Sequence, residues 1–204
     1  MAVGIAATMF YVLRHSKVYD RLRDEIRSTF PSRRSIQPGV LLERCAYLRA
    51  CVNESLRMCP PGPGVFWRQS DRDVVIDGVR VPAGTEFGVC IHALHRNPDI
   101  FPDPDSFEPD RFLSSKSHQG FIPFLAGFRS CPAQMVAYRM MCLPLARLIL
   151  EFDLEYVRQG PSCEDKDGNF KQIDVFGSRV SGPLVRCQCI RRERNVDGRW
   201  KGTL

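Results

Sequence analysis

Between Arg96 and Phe112 the chain reads RNPDIFPDPDSFEPDRF, and four of these seventeen residues are proline. Each proline fixes its own φ, removes a backbone donor and biases the residue before it away from the helical region. No regular ladder can run through such a stretch, so its carbonyls must find partners other than their own backbone. An ordered, extended meander is therefore expected, held by side chains from elsewhere.

The segment before it offers those side chains. Leu41, Cys45, Leu48, Val52, Leu56 and Cys59 recur at spacings of three and four and predict one helical face that stops at Pro60 and Pro61. Inside that helix Glu54 and Arg57 lie three apart, close enough to pair. Such a pair is usually solvated and worth little. Here its helix is otherwise apolar, and Arg111 in the meander offers a second cation. A buried carboxylate shared by two arginines would lock the meander onto the helix if every donor is satisfied.

Other elements are legible from pattern. The uncharged MAVGIAATMFYVL predicts a buried helix reaching Arg14, too short to span a bilayer and without the basic start of a signal peptide. SKVYDRLRDEIRSTF predicts a second helix with Ser16 as N-cap, followed by a loop in PSRRSIQPG. DVVIDGVRVPAG predicts a hairpin on Asp77-Gly78, and TEFGVCIHAL a strand running into a turn. A long helix is expected from Pro132 to about Phe152, kinked or loosened at Pro144. Short strands and polar loops follow, then a basic tail around RRER.

With 44% hydrophobic and 25% charged residues in 204, the chain can bury a sizeable core. A net charge of +6 suits an acidic partner or an anionic surface, but the basic tail lacks the aromatic interleaving of a nucleic-acid module. Nine cysteines without a single C-x-x-C pair argue against both a disulfide framework and a zinc ribbon. Cys187 and Cys189 fall on one face of a predicted strand, and Cys90 with His92 and His95 makes no metal site by spacing. Most of these thiols read as small buried hydrophobes.

Cys131 is the exception. In FIPFLAGFRSCPAQ it follows Phe124, Gly127 and Arg129 at fixed intervals and precedes Pro132. Glycine permits a close approach or a positive φ, and arginine offers a planar fork for an acid group. Pro132 is a good first residue of a helix, whose free amides would favour a thiolate. A thiolate with an arginine and an aromatic beside it suits an axial haem ligand.

The order E-x-x-R, P-x-R-F, F-x-x-G-x-R-x-C resembles the C-terminal part of a cytochrome P450, as do ALHRNP and the DVVIDGVRVPAG hairpin. The likeness covers essentially the whole chain and has a fungal, microsomal flavour. It implies an α+β, mainly α, partial P450 fold spanning residues 1–204 as one unit, with a small β-hairpin sheet, a proline-rich meander and a cysteine-ligand loop. By that resemblance Cys131 is the iron ligand of haem b, and Arg129 and Arg68 meet the haem propionates. Phe124 and Gly127 shape the ligand loop, while Glu54, Arg57 and Arg111 form a structural triad. Val65 and Phe66 line the substrate pocket.

The implied activity is insertion of one oxygen atom from dioxygen into an apolar small molecule, with electrons from NADPH through a partner reductase. The family's full-length members sit at the cytosolic face of the endoplasmic reticulum membrane, and neither an anchor nor a signal peptide is legible here. Two departures stand out. Ala133 replaces the family's glycine two residues after the ligand. The first helix resembles the sequence just after the family's oxygen-activating threonine, so the chain alone is expected to hold haem poorly, to be inactive and to leave that helix uncovered. The competing expectation is an inert relative acting through protein association.

Overall fold

The computed structural model describes residues 1–114, 119–157, 164–175, 177–180 and 187–191. Helix α1 (Ala2–Arg14) is followed after one residue by α2 (Ser16–Thr29). A short α3 (Val40–Glu43) leads to α4 (Ala46–Met58), then come β1 (Val65–Gln69), the pair β2 (Val74–Ile76) and β3 (Val79–Val81), and β4 (Glu86–Cys90). After α5 (Ile91–His95), the meander and the Cys131 loop, α6 (Gln134–Glu151) leads into β5 (Phe152–Tyr156). Strands β6 (Gln172–Val175), β7 (Gly177–Val180) and β8 (Cys187–Arg191) complete the described elements. The result is the mixed, mainly helical fold the sequence implied.

The core gathers α1, α2, α4 and α6. Eight of the thirteen residues of α1 are buried, with Ala7 and Phe10 fully enclosed. The expectation of an uncovered apolar helix is therefore corrected: α1 packs against α4, α6 and β5 within this chain. Phe10 meets the rings of Tyr11 at 5.0 Å and Phe170 at 5.4 Å, and Tyr11 stacks on Phe107 of the meander at 5.1 Å. Its hydroxyl accepts the Phe170 N–H at 3.3 Å, so the polar tip is satisfied too. Among the described residues no helix is long and apolar enough to cross a membrane.

Several boundaries differ from the sequence pattern, each for a tertiary reason. Ser16 is the first residue of α2 rather than its cap; His15 takes the cap position, its Nδ1 lying 2.7 Å from the Tyr11 carbonyl. The single helix expected from Leu41 to Cys59 is broken at Arg44–Cys45, leaving Leu41 exposed. Glu25 from α2 causes the new start: it accepts the N–H groups of Tyr47 and Leu48, both at 2.8 Å. These are second and third amides of α4, which have no partner inside the helix. Helix α6 begins at Gln134 with Ala133 as cap, not at Pro132, and continues through Pro144 without a break in assignment.

Among the described residues, four two-stranded antiparallel sheets carry the β structure. The β2–β3 turn places Asp77 at φ 48° and Gly78 at φ 78°, the left-handed pair a two-residue hairpin needs. Strand β1, which the sequence pattern did not show, pairs with β4 so that Trp67 faces Gly88. A Cβ at Gly88 would lie 2.7 Å from both the Phe66 carbonyl oxygen and Val65 Cγ1. Gly88→Ala is therefore expected to push β1 outward and cost about 1–3 kcal/mol, read as a shift of the urea midpoint. An unchanged midpoint would mean the two strands separate freely. Cys187 and Cys189 lie in β8 as expected; Arg191 ends that strand, and the rest of the basic tail is outside the described residues.

Candidate active site

A buried ion cluster joins α4 to the proline-rich meander. Glu54 and Arg57 are fully enclosed, and the Arg111 side chain is 8% exposed. Arg57 donates from Nε and Nη2 to the two Glu54 oxygens, both at 2.8 Å. Its remaining N–H groups reach the carbonyls of His95 at 3.0 Å, Pro104 at 2.7 Å and Ser106 at 3.1 Å. All five guanidinium donors are thus engaged. Glu54 Oε1 also accepts from Arg111 Nε at 3.0 Å and from the Glu108 N–H at 2.9 Å. Arg111 Nη1 takes the Pro102 carbonyl at 3.0 Å. The carbonyls that proline denies to a ladder are collected by two guanidinium groups, which is the solution the sequence pattern required.

His95 sits beside this cluster, fully buried at the end of α5. Its Nε2 accepts the Ile122 N–H at 3.0 Å, and its Nδ1 has no hydrogen-bond partner. Phe121 lies 5.4 Å from the ring and Phe101 6.1 Å. Burial lowers the imidazole pKa to about 4 from an ordinary 6.5, and the positive charge of Arg57 and the neighbouring His92 push the same way. An unfolded chain takes up a proton below about pH 6.5 that the folded chain refuses until about pH 4. Stability is expected to fall by about 3 kcal/mol across that interval and to level off below it, compared by urea titration with His95→Phe, which should lack that part of the slope.

The Cys131 loop follows. Cys131 donates its N–H back to the Phe124 carbonyl at 2.8 Å, and its own carbonyl accepts the Gln134 N–H at 3.3 Å. A 3-10 turn at Gly127–Arg129 lies between. Gly127 has φ 70°, and a Cβ there would meet nothing within 4 Å, so conformation rather than space calls for glycine. Leu125 holds φ 63° without that freedom. Phe124 leans on Tyr138 at 5.2 Å. Cys131 is partly exposed and lies one turn ahead of α6, not at its first residue. Ala133, exposed at φ −92°, sits in ordinary backbone.

One side of this loop and strand β1 enclose a cleft of about 1100 Å³. Val65, Phe66 and Arg68 line it from β1; Leu125, Phe128 and Arg129 line it from the loop, with Ser130 and Pro132 flanking Cys131. Arg68 donates to the neighbouring Trp67 carbonyl at 2.8 Å, and Arg129 is exposed. Asp174 of β6 closes the rim, its carboxylate so near Gly64 that a Cβ there would come within 2.4 Å of Oδ2.

A family model for cytochrome P450 matches residues 1–173. The chain belongs to the cytochrome P450 family. It is 35% identical over 196 residues to the cytochrome P450 monooxygenase atnE of Emericella nidulans, covering 90% of this chain and 38% of that protein. Against poxM of Penicillium oxalicum, also named a cytochrome P450 monooxygenase, identity is 36% over 97% of this chain and 38% of the relative. Against AKT7 of Alternaria alternata, of the same description, it is 38% over 89% of this chain and 35% of the relative. The chain thus spans under two-fifths of the length of these relatives.

Membership in the P450 family implies a haem cofactor, and the residues present fit one. A thiol lies between two cleft-lining residues, two guanidinium groups border the cleft, and Val65, Phe66, Leu125 and Phe128 supply apolar walls. That donor set suits an iron porphyrin with a thiolate ligand and acidic edge groups. Reading the P450 motifs alone missed Glu108, whose amide completes the Glu54 shell, as well as Asp174 and the role of the His95 ring. The meander pattern hinted at Glu108 and His95, since both flank its prolines; nothing in the sequence marked Asp174.

Proposed function

We propose that this chain forms the proximal, thiolate-bearing portion of a haem monooxygenase acting on apolar small molecules. The observation that carries the reading is one cleft lined by Arg68, Arg129 and the two neighbours of Cys131, Ser130 and Pro132, in a fold where the Glu54–Arg57–Arg111 cluster rigidifies the meander. Cys131 would supply the thiolate to a haem b, Arg129 and Arg68 would meet its acidic edge groups, and Phe124 would steady the ligand loop. Gly127 lets that loop turn, and Val65 and Phe66 border the substrate. Haem, when bound, supplies the dioxygen activation through which one oxygen atom enters the substrate.

The chain's own part is to bind, orient and exclude water. The internal Cys131 N–H to Phe124 bond fixes where the sulfur stands, and the two arginines neutralise acidic groups that burial would otherwise penalise. Electrons come from NADPH through a partner reductase, at the cytosolic face of the endoplasmic reticulum. The deciding experiment loads the protein with haem, supplies reductase and NADPH, and presents apolar substrates under ¹⁸O₂. A product carrying one ¹⁸O atom supports the reading. A protein that takes up haem without a thiolate-to-iron absorption refutes it.

A further inference from the structure

We propose that His95 is a positioning residue for Cys131, transmitting the order of the buried ion cluster into the ligand loop through its imidazole ring. The idea rests on the haem-thiolate reading for its functional meaning, though its geometry stands independently. On one side, the His95 carbonyl accepts from Arg57 at 3.0 Å. On the other, the ring Nε2 accepts the Ile122 N–H at 3.0 Å. From Ile122 the path is short: its carbonyl accepts the Leu125 N–H at 2.9 Å, and the adjacent Phe124 carbonyl accepts the Cys131 N–H at 2.8 Å.

Two observations show why this link matters. Among the described residues it is the one hydrogen bond between the backbone of residues 119–130 and a side chain. The loop also contains a strained residue, Leu125 at φ 63°, a conformation that persists only where surrounding structure over-determines it. On the α6 side the loop is held by Phe124 against Tyr138 at 5.2 Å and by the Cys131 carbonyl accepting from Gln134 at 3.3 Å. At its other end the His95 bond holds it, and the ring contacts His95–Phe121 at 5.4 Å and Phe121–Phe112 at 4.6 Å seat the same segment. Phe112 directly follows Arg111, so both arginines of the cluster lead to this point.

The chemistry of the ring constrains the proposal tightly. A nitrogen that accepts from a backbone amide cannot carry a proton, so the neutral ring must bear its hydrogen on Nδ1. That nitrogen is buried beside the backbone of Leu56 and Arg57 at the end of α4, which favours a proton on the ring, but it makes no hydrogen bond of good geometry. Carrying one unsatisfied donor there is a cost retained for the sake of the bond at Nε2.

The first test needs no variant. ¹⁵N NMR of the imidazole in the wild-type full chain at pH 7 is expected to show the Nδ1–H tautomer with Nε2 as acceptor; an Nε2–H tautomer or an imidazolium overturns the proposal. The second compares amide exchange at Ile122 and Cys131 in His95→Phe, His95→Gln and Phe10→Leu, the last loosening the core remotely. His95→Phe should accelerate both amides about tenfold beyond Phe10→Leu, and His95→Gln, which keeps an acceptor near Nε2, should return them to within about threefold of wild type. Equal exchange in His95→Phe and Phe10→Leu, or no rescue by glutamine, sinks it. Because these readouts need no haem, a failure of haem ligation would strike the functional reading and leave the tautomer and exchange results to decide this one.

Discussion

Arg57→Ala is expected to cost about 3–5 kcal/mol and to leave the meander without fixed structure. The loss is large because it is not one bond. Removing the guanidinium strands the Glu54 carboxylate in a site with no exposure and frees the carbonyls of His95, Pro104 and Ser106 at once. A domain of this kind has only about 5–15 kcal/mol in total, so much of the population would open. Arg57→Lys keeps the charge but offers three donors in place of a planar fork with five, and should recover less than half of the loss. Glu54→Gln should fall near the alanine variant, since it leaves two arginines facing a neutral amide. Urea unfolding by far-ultraviolet circular dichroism measures all three. A midpoint for Arg57→Ala indistinguishable from wild type would show that water enters the cluster and solvates it.

Cys131→Ser carries the second large effect, of the opposite character. The Cys131 side chain is partly exposed and makes no hydrogen bond among the described residues, so the apo fold should move by no more than about 0.5 kcal/mol. Haem ligation should change completely, because a hydroxyl does not ionise to give the strongly donating ligand that a thiolate is. The thiolate-to-iron absorption is expected to vanish and monooxygenation with it. Retention of that absorption would move the ligand to another cysteine. The contrast with Arg57 separates two roles that one motif reading groups together: one residue holds the fold, the other is held by it.

Much of this was readable in the residues, and the failures share a cause. The triad was legible because proline forbids a ladder and charge in an apolar helix demands a partner. The Asp77-Gly78 hairpin was legible because two left-handed residues are a local requirement. The break between α3 and α4 was not, since it is written in Glu25, about twenty residues earlier, which caps amides that no local residue caps. Strand β1 escaped because Val65–Gln69 is only half-buried and shows no clean alternation, its partner being β4 rather than a neighbouring hairpin arm. The start of α6 was misplaced because Cys131 sends its amide back to Phe124 before the helix begins. Around the cleft, Val65, Phe66, Arg68 and Arg129 were singled out in the sequence and line it, whereas Asp174 was not, because its place depends on where β6 crosses the chain.

The distribution of thiols has a practical consequence. Among the described thiols, Cys45, Cys51, Cys59 and Cys142 are sealed in the core, while Cys90, Cys131 and Cys189 reach the surface to some degree. Burial pushes Cys45 and Cys142 up to about 11 and Cys59 to about 12, and Cys51 higher than its ordinary value as well. At neutral pH these four have neither access nor thiolate character, so an alkylating reagent meets them only when the core comes apart. The chain therefore carries a built-in clock: the rate at which those four positions acquire label counts opening events directly, with no dye or tag introduced.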